Sequence, residues 1–127
     1  MPLVRITLQS GRPPAVLRAI GDAIHGALVE AIGAPAEGRF HVFDERPPGA
    51  LVFPPSYLGV PKSEGLVILQ ITMNQGRTIE QKRALYAQLA ERLARDAGVR
   101  PDDLVVSLVE VPRENWSWGR GEATYAK

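Results

Sequence analysis

The sequence predicts an α+β fold in which tandem duplicated β-α-β units lay four strands into a mixed sheet with two helices on one face. Two observations carry this expectation. The first is an internal echo: Ile6-Thr7-Leu8-Gln9-Ser10-Gly11-Arg12 returns as Ile71-Thr72-Met73-Asn74-Gln75-Gly76-Arg77. At the same offset of 65, Arg18-Ala19 meets Arg83-Ala84, Leu28 meets Leu93, Gly33 meets Gly98 and Glu45 meets Glu110, all without a gap. The second is the order of periodicities. Each copy reads strand, turn, helix, loop, strand, a unit whose right-handed crossover sets its helix on a sheet face. A chain of 127 residues suits one domain, with repeat units at 2–46 and 66–111, a connector at 47–65 and a tail at 112–127.

The first strand falls at roughly Pro2–Leu8, where aliphatic and β-branched residues precede the breakers Ser10-Gly11-Arg12-Pro13-Pro14. Val16, Ile20, Ile24, Leu28 and Ile32 then recur every four residues, flanked by Ala23, Ala27 and Ala31, which makes one buried helical stripe stopped by Gly33. Arg39-Phe40-His41-Val42-Phe43 alternates as a second strand and ends at Arg46-Pro47-Pro48-Gly49. The second copy repeats the plan with a strand at Leu66–Met73, a turn at Asn74–Arg77 and a helix near Thr78–Ala97. Thr78 is its expected N-cap, Leu85, Leu89 and Leu93 its core stripe, and Gly98 its stop. Asp102-Asp103 open a last strand, Leu104–Val111. Two helices on one face leave the other face bare. Val67-Ile68-Leu69 and Val105-Val106 would expose apolar surface there in a monomer, so a homo-oligomer is expected, with a two-layer ferredoxin-like monomer as the alternative that pattern leaves open.

Composition removes several classes of function. Hydrophobic residues make up 45% and charged residues 23%, near the globular average. Fifteen Lys+Arg against fourteen Asp+Glu leave a net charge of +1, too little basic excess for a nucleic-acid partner. Without cysteine there are no disulfides, thiolate metal sites or Cys nucleophile. No charged leader with an apolar stretch and no apolar run of about 18 residues is present, so neither a membrane span nor a signal peptide is read and a cytoplasmic protein is expected. Gly-rich phosphate loops, His-Glu-x-x-His and Gly-x-Ser-x-Gly are absent. His25 and His41 lie on different elements without a carboxylate at ligand spacing, so no metal site is expected and both read as surface or interface residues. His25 sits roughly 100° around the helix from Ile24 and can face a cleft.

The chemistry that remains is at the amino terminus. If Met1 is removed, Pro2 presents a secondary amine in a rigid ring at the head of a strand. Desolvation and nearby cations favour its neutral, proton-accepting form near pH 7. Read alone, Pro2 is more simply the start of an edge strand, where a missing N–H costs nothing. Arg77, at a strand-to-helix turn beside helix N–H groups, offers a carboxylate-binding corner, and Arg12 is its repeat mate; either one alone reads more simply as a solvated surface arginine, and it is the combination with Pro2 that sharpens the signal.

The segment Ile71-Thr72-Met73-Asn74-Gln75-Gly76-Arg77-Thr78-Ile79-Glu80-Gln81-Lys82-Arg83-Ala84-Leu85 resembles the strand–Gly-Arg-Ser/Thr-x-Glu-Gln-Lys–helix signature of the tautomerase superfamily, which is 4-oxalocrotonate tautomerase-like. The ending Val109-Glu110-Val111-Pro112-Arg113-Glu114-Asn115-Trp116-Ser117-Trp118-Gly119-Arg120-Gly121, with Leu58-Gly59 and the helix segment Ala23–Ala31, resembles its fused malonate semialdehyde decarboxylase-like branch. The resemblance spans essentially the whole chain. It implies a homotrimer, an amino-terminal proline acting as general base or acid, here Pro2, and an arginine holding a substrate carboxylate, here Arg77. The chain departs from the decarboxylase pattern at two places. Gln75-Gly76-Arg77 stands where that enzyme has Arg-Pro-Arg, and its acidic residue aligns with Gly38, one position after Glu37. Trp116 and Trp118 match the family's C-terminal aromatics, as pocket walls or as subunit-interface packing.

The function expected is that of a cofactor-independent tautomerase of a small 2-oxo acid, a small-molecule carboxylate. Pro2 and Arg77 are the catalytic pair, and Arg12, Glu37, Gln75, Trp116 and Trp118 line the substrate. Decarboxylation of a malonate semialdehyde-type substrate and a non-catalytic trimeric binding protein are the alternatives.

Overall fold

Alternation decides which way each strand faces. The computed structural model describes residues 1–125. In β1 (Leu3–Gln9), Val4, Ile6 and Leu8 are buried while Leu3 and Arg5 are exposed. In β5 (Val67–Asn74), Val67, Leu69, Ile71 and Met73 are buried. These two strands pair antiparallel at the centre of a sheet ordered β2-β1-β5-β6, and β2 (Phe40–Arg46) and β6 (Leu104–Val111) each run parallel to their inner neighbour. Helices α1 (Pro14–Ile32) and α2 (Ile79–Ala97) cover one face. Their stripes, Ile20, Ile24 and Leu28 on one and Leu85, Leu89 and Leu93 on the other, form a continuous core with the inward residues of β1 and β5.

The two halves share their punctuation. α1 and α2 each span 19 residues and begin 65 residues apart. Gly33 ends α1 and Gly98 ends α2, both in the left-handed region at φ 69° and 68°. Beyond each cap the next N–H donates back into the last turn, Ala34 to the Leu28 carbonyl at 3.2 Å and Val99 to the Leu93 carbonyl at 3.1 Å. At the other end, Pro14 occupies the first turn of α1, where its missing N–H has no intrahelical use. α2 instead carries a capping box: Thr78 Oγ1 accepts from the Gln81 N–H and Gln81 Oε1 accepts from the Thr78 N–H.

The open face differs from the expectation. Arg5, Gln70 and Ser107 are exposed there and Thr7 and Thr72 half-buried, so its centre is polar, because an unbroken apolar run such as Val67-Ile68-Leu69 still sends only its middle residue outward. Apolar surface gathers at the margins. Leu3, Phe40 and Val42 lie at one margin and Val105 at the other, each between 36% and 46% exposed. The connector lays Phe53, Pro54 and Tyr57 near Ile68 and Val105 around a hollow of about 330 Å³.

The connector is also more ordered than a Pro/Gly-rich link suggests. Ser56–Tyr57 (β3) and Val60–Pro61 (β4) form a two-residue hairpin through Leu58-Gly59, whose φ values of 50° and 81° are the primed-turn geometry. Its far end is tied down by Asp103, a buried carboxylate that accepts from the Ser63 N–H at 2.8 Å and the Ser63 hydroxyl at 2.6 Å.

Candidate active site

The amino terminus, the end of β5 and the tail after β6 converge on one end of the sheet. Because β1 and β5 are antiparallel, with Leu3 opposite Thr72, the start of β1 lies beside the C-terminal end of β5 and the Gly76-Arg77 turn that follows it. Pro2 is buried at the head of β1. The Met1 amine before it is held below the ordinary α-amino range by partial burial first, then by the Arg77 and Arg113 guanidiniums. The Met1 thioether packs on Gly38, where any Cβ would collide with it.

The turn that carries Arg77 is built from backbone and charge. Gly76 takes φ 115°, which a side chain would strain. The Gln75 N–H donates to the Val111 carbonyl at 3.0 Å, and Arg77 Nη1 donates to the Asn74 carbonyl at 2.9 Å. Glu110 accepts from Lys82 Nζ at 2.6 Å and lies below its ordinary pKa through that bond, the Lys82 charge, the Gly76 N–H and Arg77. Three segments are thereby fastened behind the guanidinium: the end of β5, the first turn of α2 and the end of β6.

The aromatic tail walls the same end on the open side. Trp116 is buried, and its Nε1–H donates to Asn74 Oδ1 at 2.7 Å. Trp118 stacks on it with ring centroids 4.6 Å apart at 15° and meets Phe40 at 4.7 Å. Phe40 pairs with Leu3 in the sheet, so the aromatic group closes over the start of β1. Among the described residues, Trp118 Nε1 is buried without a hydrogen-bond partner.

The structure thus gathers Pro2, Arg77, Trp116 and Trp118, with Gln75 exposed on the same turn. Glu37 is exposed in the turn before Gly38, and His25 steadies that turn by donating from Nε2 to the Ala36 carbonyl at 2.7 Å. Arg12 lies at the other end: it follows the C-terminal end of β1 and donates from Nη2 to the Gly65 carbonyl at 2.8 Å, just before β5. Seven residues of strand separate it from Pro2, roughly 20–25 Å within one chain. Sequence reasoning missed Arg113, Asn74 and Phe40, which come to the site only through the turn after β6 and the sheet register. Among the described residues no three His, Asp or Glu side chains gather as a metal site, and no helix is long and apolar enough to cross a membrane.

Two family models, both described as tautomerase enzyme, match residues 38–119 and 2–60. The chain belongs to the tautomerase family. It is 36% identical over 123 residues to the probable tautomerase YusQ of Bacillus subtilis, covering 97% of both proteins. Among solved structures it resembles malonate semialdehyde decarboxylase, studied for its decarboxylase and hydratase activities, with TM-score 0.89 and 38% identity over 97% of this chain and 95% of that one. A fused 4-OT solved as an asymmetric trimer gives TM-score 0.79 and 27% identity over 97% of each chain. This tautomerase-family chain therefore shares its fold, over nearly its whole length, with malonate semialdehyde decarboxylase and with a fused 4-OT.

Proposed function

We propose that this chain is a cofactor-independent tautomerase of a small 2-oxo acid, with Pro2 as general base once Met1 is removed. The observation that carries the reading is the amine at the head of β1, partly enclosed and lowered in pKa beside Arg77 and Arg113. Removal of Met1 moves the free amine one residue inward to Pro2, where desolvation and the nearby guanidiniums favour a neutral base near pH 7. It also frees the space on Gly38 that the Met1 thioether fills.

Arg77 grips the substrate carboxylate with its two-pronged guanidinium. Pro2 nitrogen takes a proton from the carbon beside the keto group. The C–H electron pair becomes the new C–C π bond and the keto π pair moves to oxygen, giving an enolate whose charge Arg113 faces. The protonated Pro2 then delivers its proton to a different atom, so the product is an isomer and the base is restored. Trp116, Trp118 and Phe40 keep water from the amine and hold the enolate flat.

The test joins three measurements. Intact mass of natively expressed protein lacks one methionine; kcat/KM for 2-oxo or enol substrates rises with pH along a limb whose apparent pKa lies below the ordinary α-amino value; and Pro2→Ala lowers kcat/KM by about 10²-fold or more. Undiminished turnover in that variant removes Pro2 from the mechanism, and a retained Met1 favours the non-catalytic trimeric binding protein.

A second reading is decarboxylation, favoured by the likeness to malonate semialdehyde decarboxylase and by Arg113, a second guanidinium near the amine despite Gln75. Here a protonated Pro2 polarises the 3-oxo group, and the C–C bond to the carboxylate breaks with its electron pair passing into the enol as carbon dioxide leaves. Carbon dioxide release from malonate semialdehyde separates the two. We also place the chain in a homotrimer, supported by the trimeric fused 4-OT and by the apolar margins of the open face.

A further inference from the structure

The second half of the chain serves as an internal control for the first. Between α1 and β2 runs a cleft of about 370 Å³. Between α2 and β6 lies a smaller one of about 250 Å³, lined by Tyr86, Ala90, Pro101, Leu104 and Val106. The 65-residue offset sets Gly21 against Tyr86, Arg39 against Leu104 and His41 against Val106. The sheet register agrees, since His41 pairs with Val4 and Val106 with Leu69. At three equivalent backbone positions, therefore, tyrosine, leucine and valine narrow the crevice in the second half, while glycine, arginine and histidine line it in the first. Packing alone is served by the apolar set, and partly burying an imidazole costs stability that an aliphatic side chain does not. The polar set calls for a ligand.

Its chemistry follows from the lining. With no side chain at Gly21, His41 and Phe43 come against the helix backbone; a Cβ there would lie 3.3 Å from His41 Nδ1 and 3.6 Å from Phe43 Cζ. The floor is thus two ring systems, edge to face at 6.4 Å. Arg39 is paired with Asp22 at 2.7 Å, and among the described residues Arg18 has no ion-pair partner, so the three charges leave one positive charge at the mouth. Burial, Arg39 and His25 push His41 down to about 4 against the pull of Asp22. The ring is therefore neutral at pH 7, with one N–H to donate and one nitrogen to accept.

We propose that the α1–β2 cleft is a second binding site, separate from the one at the start of β1, for a small planar monocarboxylate. Its carboxylate sits between Arg18 and Arg39, and its flat body stacks on Phe43 with its edge toward His41. A dianion exceeds the single uncompensated charge, and a non-planar body loses the contact with the ring face.

The probe is benzoate, followed by the ring signals of His41 in histidine-labelled protein. Saturable shifts of His41 are expected, with benzamide and cyclohexanecarboxylate each binding about tenfold or more weakly. Arg18→Ala and Arg39→Leu, the latter the residue found at position 104, each weaken benzoate about tenfold while far-UV circular dichroism stays unchanged. Arg77→Ala removes the anchor of the other site and leaves the His41 response intact. Three results would overturn the proposal: no saturable shift, benzoate affinity in both cleft variants equal to that of the unsubstituted protein, or a response that disappears with Arg77→Ala. The last would assign the signal to the site at the start of β1 and leave the tautomerase reading untouched.

Discussion

Arg77 is the side chain whose role is best separated by substitution. Its guanidinium already spends one N–H on the Asn74 carbonyl, leaving the rest of the fork for a carboxylate. Arg77→Ala is expected to lower kcat/KM by about 10²-fold or more, and Arg77→Lys to recover only part of it, since a point charge cannot make the paired contact. Steady-state kinetics on a 2-oxo acid reads both. The strand-to-helix turn that carries this arginine was legible in the sequence, whereas a Gly-Arg pair alone is a weak signal, and it was the combination with Pro2 and the family resemblance that singled Arg77 out. Arg113 was not, because a single arginine after Pro112 carries no periodicity and reaches the amine only through the turn that follows β6. His41 supplies a second expectation at this scale. Its folded-state pKa of about 4 lies below the ordinary 6.5, so between those values the unfolded chain takes up a proton that the folded one declines. Stability is full above pH 6.5 and falls toward pH 4. Discounted for the ring's partial exposure, the loss is about 1–2 kcal/mol. Urea unfolding at pH 7 and pH 4.5 measures it, and His41→Val flattens the slope.

Among the elements, the helix ends were the most readable and the strand faces the least. Gly33 and Gly98 announce themselves as stops, and both take the left-handed conformation with nothing within 4 Å of a would-be Cβ. Gly33→Ala and Gly98→Ala should then each cost about 1 kcal/mol through backbone strain alone, seen as similar drops in the urea midpoint. Unequal drops would show that one cap has contacts the other lacks. The last strand fell at Leu104–Val111 as expected, the bounds of the other three long strands moved by one to three residues, and the short β3–β4 hairpin went unseen because a two-residue strand leaves no alternation to detect. Its signal was Leu58-Gly59 alone. The outward polarity of β5 and β6 was likewise hidden, since side chains of one apolar run divide between two faces.

For the whole molecule, the decisive relation is the antiparallel pairing of β1 and β5, which no repeat in the sequence discloses. The echo makes Arg12 and Arg77 equivalent, whereas the pairing sends them to opposite ends of the sheet. Their convergence on one substrate therefore needs a neighbouring subunit. Sedimentation should report three chains per particle, with a melting temperature that rises with protein concentration. A concentration-independent monomer would remove the trimer and, with it, any share of Arg12 in the site.

Joining both strand-helix-strand units in a single polypeptide has one more outcome. At the position 65 residues beyond Pro2, Val67 continues from Leu66 through an ordinary amide, so its nitrogen cannot titrate. The proposed general base is therefore single in each polypeptide, and the matching backbone at the opposite end, beside Arg12 and its bond to the Gly65 carbonyl, cannot duplicate it.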